Sequence, residues 1–391
     1  MVGIYLDHIS ATPVLPEVRE AMLPFLTEQF GNPSSLHDWG QSVRDAVETA
    51  RAQVAELINA EPEEIVFTGN GTEANNLAIK GLAMAQSKGK HILVSAVEHV
   101  SVLNAARAME RFGFEVELVP VDKYGMVDPA EVQRHLRTDT VLVSVMTANN
   151  EVGTIEPVDK IALLARDRGI LFHTDAVCAA GAIPLDVKEL GVDALSLAAN
   201  EFYGPGGVGA LYLKRGLKLV PLLDGGFQEN KKRAGTENVA GIVGMGKAAE
   251  MAGLNIKPRA AQIMPLRDRL LTELPRRIPY VFPTGHPTRR IPGHASFYLE
   301  FVEGEAMLLW LNSKGVAVST VSSCTSKALR ASHVLLATGL THSQSQGSLT
   351  LSLGLANTVP DIDYVLATLP DIVNDLRAMS PLYDKFLKGV H

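Results

Sequence analysis

Between Thr68 and Asn76 the chain reads Thr-Gly-Asn-Gly-Thr-Glu-Ala-Asn-Asn, directly after a short apolar run and at the start of a helical pattern. Backbone N–H groups at such a helix start converge with a threonine hydroxyl on one point and favour an anion there. Gly71 and Thr72 are thus candidates for a phosphate cup, although glycine at a strand-to-helix turn often serves conformation alone. The second residue able to do chemistry is Cys324, in Thr320-Val321-Ser322-Ser323-Cys324-Thr325-Ser326-Lys327. Serine and threonine around it suit an exposed, movable thiol better than a packed one. The only other cysteine, Cys178, is far away and in no CxxC pattern. Neither a disulfide framework nor a self-contained four-cysteine metal site is available.

Elements that must position these residues follow from the hydrophobic pattern. Short apolar strands are expected at 65–68, 92–94, 115–119, 140–146, 171–173, 194–197 and 209–214, alternating with helical segments. Such alternation implies crossover connections and a mostly parallel sheet covered on both faces, with ligands at the carboxyl ends of the strands. A helix is expected over 238–253, then a composition break at 255–259. Beyond it, helices near 264–277, 304–313 and 361–379 and strands near 295–300 and 348–353 fit a smaller α+β unit. The expected organisation is a large α/β domain over 16–256, and a small domain made of 1–15 with 257–391.

With 46% hydrophobic and 20% charged residues, the chain can bury a large core. A net charge of −7 gives no electrostatic reason to bind nucleic acid or anionic membrane. No stretch is apolar enough to span a bilayer and no basic leader precedes the first strand, so a reducing, cytoplasmic setting is expected.

Several further motifs carry a resemblance. Ser196-Leu197-Ala198-Ala199-Asn200-Glu201-Phe202-Tyr203-Gly204-Pro205-Gly206-Gly207 resembles the pyridoxal-phosphate lysine loop of cysteine desulfurases of the NifS/IscS type, members of the class V aminotransferases. Gly31-Asn32-Pro33-Ser34-Ser35, the run from Thr72 to Gly81, Glu98-His99, Asn149-Asn150-Glu151 and His173-Thr174-Asp175-Ala176 are similar to that family as well. The resemblance spans nearly the whole chain. It implies a type I pyridoxal-phosphate-transferase fold: a large, mostly parallel seven-stranded sheet domain plus a smaller α+β domain. It further implies that His99 stacks on the cofactor ring, that Asp175 pairs with the pyridine nitrogen, and that Asn149 belongs to the cofactor loop. Thr236, in Arg233-Ala234-Gly235-Thr236-Glu237-Asn238, matches a threonine that reaches the partner subunit's phosphate, which implies a homodimer. Cys324 matches the cysteine that accepts sulfur as a persulfide.

The departures from the family pattern fall at the chemistry. Glu201 stands at the lysine position, Asn200 at a histidine, Ala198 at a phosphate-binding serine, Cys178 at a ring-contacting glutamine and Thr350 at the substrate-carboxylate arginine. Covalent attachment of the cofactor aldehyde needs a primary amine, which glutamate lacks. A carboxylate at Glu201 is also expected to repel the phosphate dianion. Lys214, the nearest downstream lysine, lies beyond the next strand and is expected to point away.

The expectation from the sequence is therefore a homodimer without covalently bound pyridoxal phosphate, the cofactor being absent or weakly held, and without desulfurase activity. It would work with an IscU-like iron–sulfur scaffold, with Cys324 as persulfide carrier or as one ligand to a shared iron–sulfur cluster. The alternative is an active desulfurase that converts L-cysteine to L-alanine and persulfide sulfur with noncovalent pyridoxal phosphate.

Overall fold

The structure, a computed structural model, describes residues 3–320 and 331–389. Seven strands form the main sheet in the spatial order Ile65–Thr68, Gly209–Leu213, Ala194–Ala198, Leu171–Asp175, Thr140–Ser144, His91–Ser95, Glu115–Val119. Gly209–Leu213 runs antiparallel to both neighbours and every other pairing among consecutive strands is parallel. The expected strands are all present, within two residues at each end. The strand expected to reach Met146 ends at Ser144, and Met146 N donates instead to the buried Glu98 carboxylate at 2.6 Å.

Strands buried on both faces read as near-continuous apolar runs because helices cover both sides. Ile92, Val94, Leu142 and Leu211 pack with Leu77, Ile79 and Val102 on one side. Leu93, Val143, Phe172 and Leu195 pack with Val54, Ile58, Ile161 and Met245 on the other. This two-sided cover leaves the carboxyl ends of the parallel strands as the place where the chain opens into polar loops.

The helices expected on either side of 255–259 are one. Helix Val239–Arg277 runs through that segment and contains Pro258, Pro265 and Pro275. Each proline removes one i→i−4 hydrogen bond, but apolar packing holds the helix on either side of the 255–259 segment. Its first half lies so close to helix Asp38–Leu57 that a Cβ at Gly246 would sit 2.6 Å from Ala50 Cα. Its second half joins another core, where Ile263, Leu270 and Leu274 meet Leu6, Phe297, Leu351 and Leu366. That core lies under an antiparallel sheet ordered Ser348–Ser352, His294–Leu299, Val281–Pro283. Strand Ile4–Tyr5 pairs in parallel with Val316–Ala317, so the start of the chain is bound to its last third.

Candidate active site

A cavity of about 310 Å³ opens at the carboxyl ends of the parallel strands. Strand Leu171–Asp175 delivers Asp175 to its floor, and strand Ala194–Ala198 ends there and turns through Ala199–Glu201. Helix Gly71–Asn76, which follows strand Ile65–Thr68, presents its first turn to the cavity. Its cap is Asn70, whose side chain accepts from Glu73 N at 2.8 Å. Gly71 is required for close approach: a Cβ there would lie 2.8 Å from Val177 Cγ2. Gly71, Thr72, His99, Asp175, Cys178, Ala198, Asn200, Glu201 and Thr350, nine of the residues singled out from the sequence, share this one cavity.

Asp175 is held by two donors. Asn75 Nδ2 donates to Oδ2 at 2.6 Å, and Val177 N donates to Oδ1 at 2.9 Å. Burial still pushes its pKa up, against the opposing pull of these bonds and of His99. Asn75 also donates to Ser101 Oγ at 2.9 Å, and Ser101 Oγ lies 2.7 Å from His99 Nδ1. The Ser101 backbone N–H donates to the same His99 nitrogen, which makes Nδ1 an acceptor and fixes the ring at the start of helix Val100–Ala108. Asn75 and Ser101 complete this network, and pattern reading did not single them out. For Asn75 the signal was helical spacing, since it lies four residues after Gly71 on the same helix face.

Glu201 accepts from Asn200 Nδ2 at 3.0 Å. Burial, reinforced by the neighbouring Asp175 charge, pushes its pKa up to about 8, so at neutral pH it is mostly the uncharged acid. Burial pushes the Cys178 thiol well above its ordinary range, which makes it a poor nucleophile. Glu151, which also borders the cavity, has a pKa near 8 for the same reason and is bonded to Ser332. No lysine or arginine borders this cavity among the described residues. Lys214 faces away as expected, at the opposite end of the sheet with Nζ 3.4 Å from Asp193.

Asn149 and Thr236 do not border this cavity. Asn149 is fully buried behind the loop, where its side chain donates to Val97 O and accepts from Glu151 N and Val152 N. It shapes the loop, and its neighbours Asn150 and Glu151 reach the cavity. Thr236 borders a separate, smaller cavity with Arg233, whose guanidinium is paired with Glu73 at 2.8 Å. Cys324 lies outside the described residues.

Residues 4–365 match the Aminotransferase class-V family. The cysteine desulfurase IscS of Methanosarcina thermophila is 51% identical over 384 residues, 98% of this chain and 95% of that one. Its counterpart in Dictyoglomus turgidum is 50% identical over 379 residues, 97% of this chain and 96% of that one. The chain belongs to the cysteine desulfurase family of class-V aminotransferases. Among solved structures, a NifS-like protein superposes with a TM-score of 0.90 at 34% identity, covering 96% of this chain and all of that one. The type I fold of this family is therefore the fold of this chain.

Membership in this family corrects the expectation of absent or weak pyridoxal phosphate, with or without a cluster shared with a scaffold in its stead. Relatives at about half identity over nearly the full length are desulfurases of a pyridoxal-phosphate-dependent type. The physical premise of that expectation also fails. Glu201 was taken as an anion opposing the phosphate, yet its burial makes it mostly neutral at pH 7. The donors and acceptors present fit the group: the first turn of helix Gly71–Asn76 suits the phosphate, and the buried carboxylate of Asp175 suits a protonated ring nitrogen.

Proposed function

We propose that this chain is a homodimeric sulfur-transfer protein of the cysteine desulfurase family that serves an IscU-like iron–sulfur scaffold. In this reading Cys324 carries the sulfur and lysine-dependent desulfuration has been lost. The observation that carries the reading is Glu201 on the cavity wall, with no lysine among the described residues beside it. A carboxylic acid cannot form the covalent link that a lysine amine forms with an aldehyde.

Pyridoxal phosphate, when bound, supplies an electron sink next to the substrate carbon. The chain's own residues support holding it without a covalent link. Asp175, braced by Asn75 and Val177, would accept the ring N–H. His99, fixed by Ser101, would lie against the ring, and Gly71 and Thr72 would take the phosphate.

A second reading, an active desulfurase with noncovalent cofactor, is favoured by the 51% and 50% identity to proteins named cysteine desulfurase. Sulfide and alanine release from L-cysteine by the cofactor-loaded protein separates the two. The proposal expects no turnover by the natural chain and a gain of turnover in Glu201→Lys. It further expects that Cys324→Ser abolishes sulfur delivery to a scaffold from a small-molecule persulfide, whose outer sulfur the Cys324 thiolate would take as the donor's thiol leaves. Turnover by the natural chain that matches Glu201→Lys would establish the second reading instead.

A further inference from the structure

Behind Glu201 and Cys178 lies a second cavity of about 80 Å³, which shares Ile9, Cys178 and Glu201 with the larger one. It has room for two or three waters or one small ion. Its walls hold a buried cation without a counter-charge and further donors without a partner.

Arg259, on helix Val239–Arg277 and only 8% exposed, lies over the Tyr203 ring at 5.2 Å. Its Nη1 is buried without a hydrogen-bond partner, and it forms no ion pair among the described residues. His8 is 8% exposed, and both of its ring nitrogens are buried without partners, the ring lying on Gly354, where a Cβ would sit 2.5 Å from each nitrogen. Burial lowers its pKa to about 4, so it is a neutral ring with one N–H to give and a free choice of tautomer. Glu201, mostly protonated at pH 7, adds an O–H.

The remaining polar groups are mostly committed, the exception being His294 Nδ1, a buried acceptor without a partner. Thr12 Oγ1 donates to Asn200 O and accepts from Tyr203 N. Ser352 Oγ accepts from Ile9 N, and Tyr203 Oη accepts from Leu355 N. His294 pairs through Nε2 with Asn150 O, and its Nδ1 packs against Gly153, where a Cβ would lie 2.6 Å away. Burial lowers its pKa to about 3, so it brings no charge. Cys178 is a protonated thiol. A buried guanidinium without a counter-charge is costly, and unpaired buried donors add to the cost.

We propose that this cavity binds one small monovalent anion, between chloride and formate in size, held by the Arg259 guanidinium with His8 as the second donor. The site is independent of the catalytic reading of the larger cavity. Its internal competitor is the carboxylate of Glu201, which borders both cavities and would neutralise Arg259 if it ionised and turned.

The test uses the full chain, with sodium bromide and sodium formate as probes. Crystals grown without halide and soaked in bromide should show anomalous density against Arg259 Nη1. In solution, millimolar bromide or formate should raise the melting temperature of the natural chain by about 2 °C or more relative to Arg259→Met. That variant replaces a buried unpaired charge with an apolar chain of similar length and should fold at least as stably in anion-free buffer. His8→Phe should weaken the anion effect without abolishing it. Absence of bromide density would overturn the proposal. So would density unaccompanied by a differential shift, which means binding at crystal concentration only, or a Glu201 carboxylate seated on Arg259 in the anion's place.

Discussion

Asn75 Nδ2 sits 2.6 Å from Asp175 Oδ2 and 2.9 Å from Ser101 Oγ, so a single amide ties the floor of the active-site cavity to the residue that orients His99. The helix that brings Gly71 and Thr72 to the cavity thus also braces the carboxylate of Asp175. The first turn of that helix and the cavity floor are one mechanical unit.

Asn75→Ala should therefore weaken both stability and cofactor retention. Removing the donor leaves a buried carboxylate oxygen unpaired, at a cost of about 1–3 kcal/mol. Urea unfolding measures the first effect and cofactor release on desalting the second. An unchanged midpoint would mean that Asp175 does not depend on this bond.

Glu201 makes stability depend on pH in a defined direction. Its pKa rises from 4.5 in the unfolded chain to about 8 in the fold, so the folded protein keeps a proton that the unfolded chain has released. Stability from this group is therefore greatest below pH 4.5, falls as pH rises through the 4.5 to 8 window, and is level above it. Relative to Glu201→Gln, the natural chain should lose stability across that window by at most about 1.4 kcal/mol per pH unit. Contact of the side chain with the cavity solvent reduces the slope. Denaturant midpoints for both proteins between pH 5 and 9 test this, and a constant difference would show that Glu201 titrates normally.

Covalent capture of the cofactor should follow the residue at position 201. Borohydride treatment of the natural chain loaded with pyridoxal phosphate should leave the cofactor removable by denaturation, whereas Glu201→Lys should retain it. Intact-mass spectrometry reads the adduct directly. An adduct on the natural chain would point to an amine that the cavity wall does not show.

The loop that carries Thr236 is anchored by a buried ion pair. Arg51 makes two bonds of 2.8 Å to Glu229, which also accepts from Phe67 N at 2.8 Å on the strand that leads to helix Gly71–Asn76. Glu229→Gln removes the buried carboxylate from a guanidinium that is only 11% exposed and leaves it Glu48 at 3.1 Å and Ile65 O at 2.8 Å, so it should cost about 1–3 kcal/mol in thermal or chemical unfolding. A loss under 1 kcal/mol would mean that solvent reaches Arg51 once the loop relaxes.

Cys178 should resist iodoacetamide at pH 7.5 in the folded protein and react once the protein is unfolded. Burial above all opposes formation of its thiolate. Peptide mapping after timed alkylation distinguishes this from a reactive thiol.

The strands of the main sheet and the turns that close them were legible in the sequence, because apolar runs and Gly, Asn and Thr punctuation act locally. Motif spacing likewise placed Gly71, Thr72, His99, Asp175 and Glu201 at strand ends, and topology then gathered them into one cavity. The continuity of helix Val239–Arg277 was not legible. Proline at 258 and 265 signals a break locally, and only packing of the helix into two cores overrides it. The separation of Asn149 from Asn150 was hidden too, since neighbours in a loop can face opposite ways. Protonation of Glu201 depends on burial, a property of the assembled wall and not of the glutamate or its flanking residues. The same holds for the second cavity. His8, Glu201 and Arg259 lie far apart along the chain, and only tertiary packing collects their unused donors around one space.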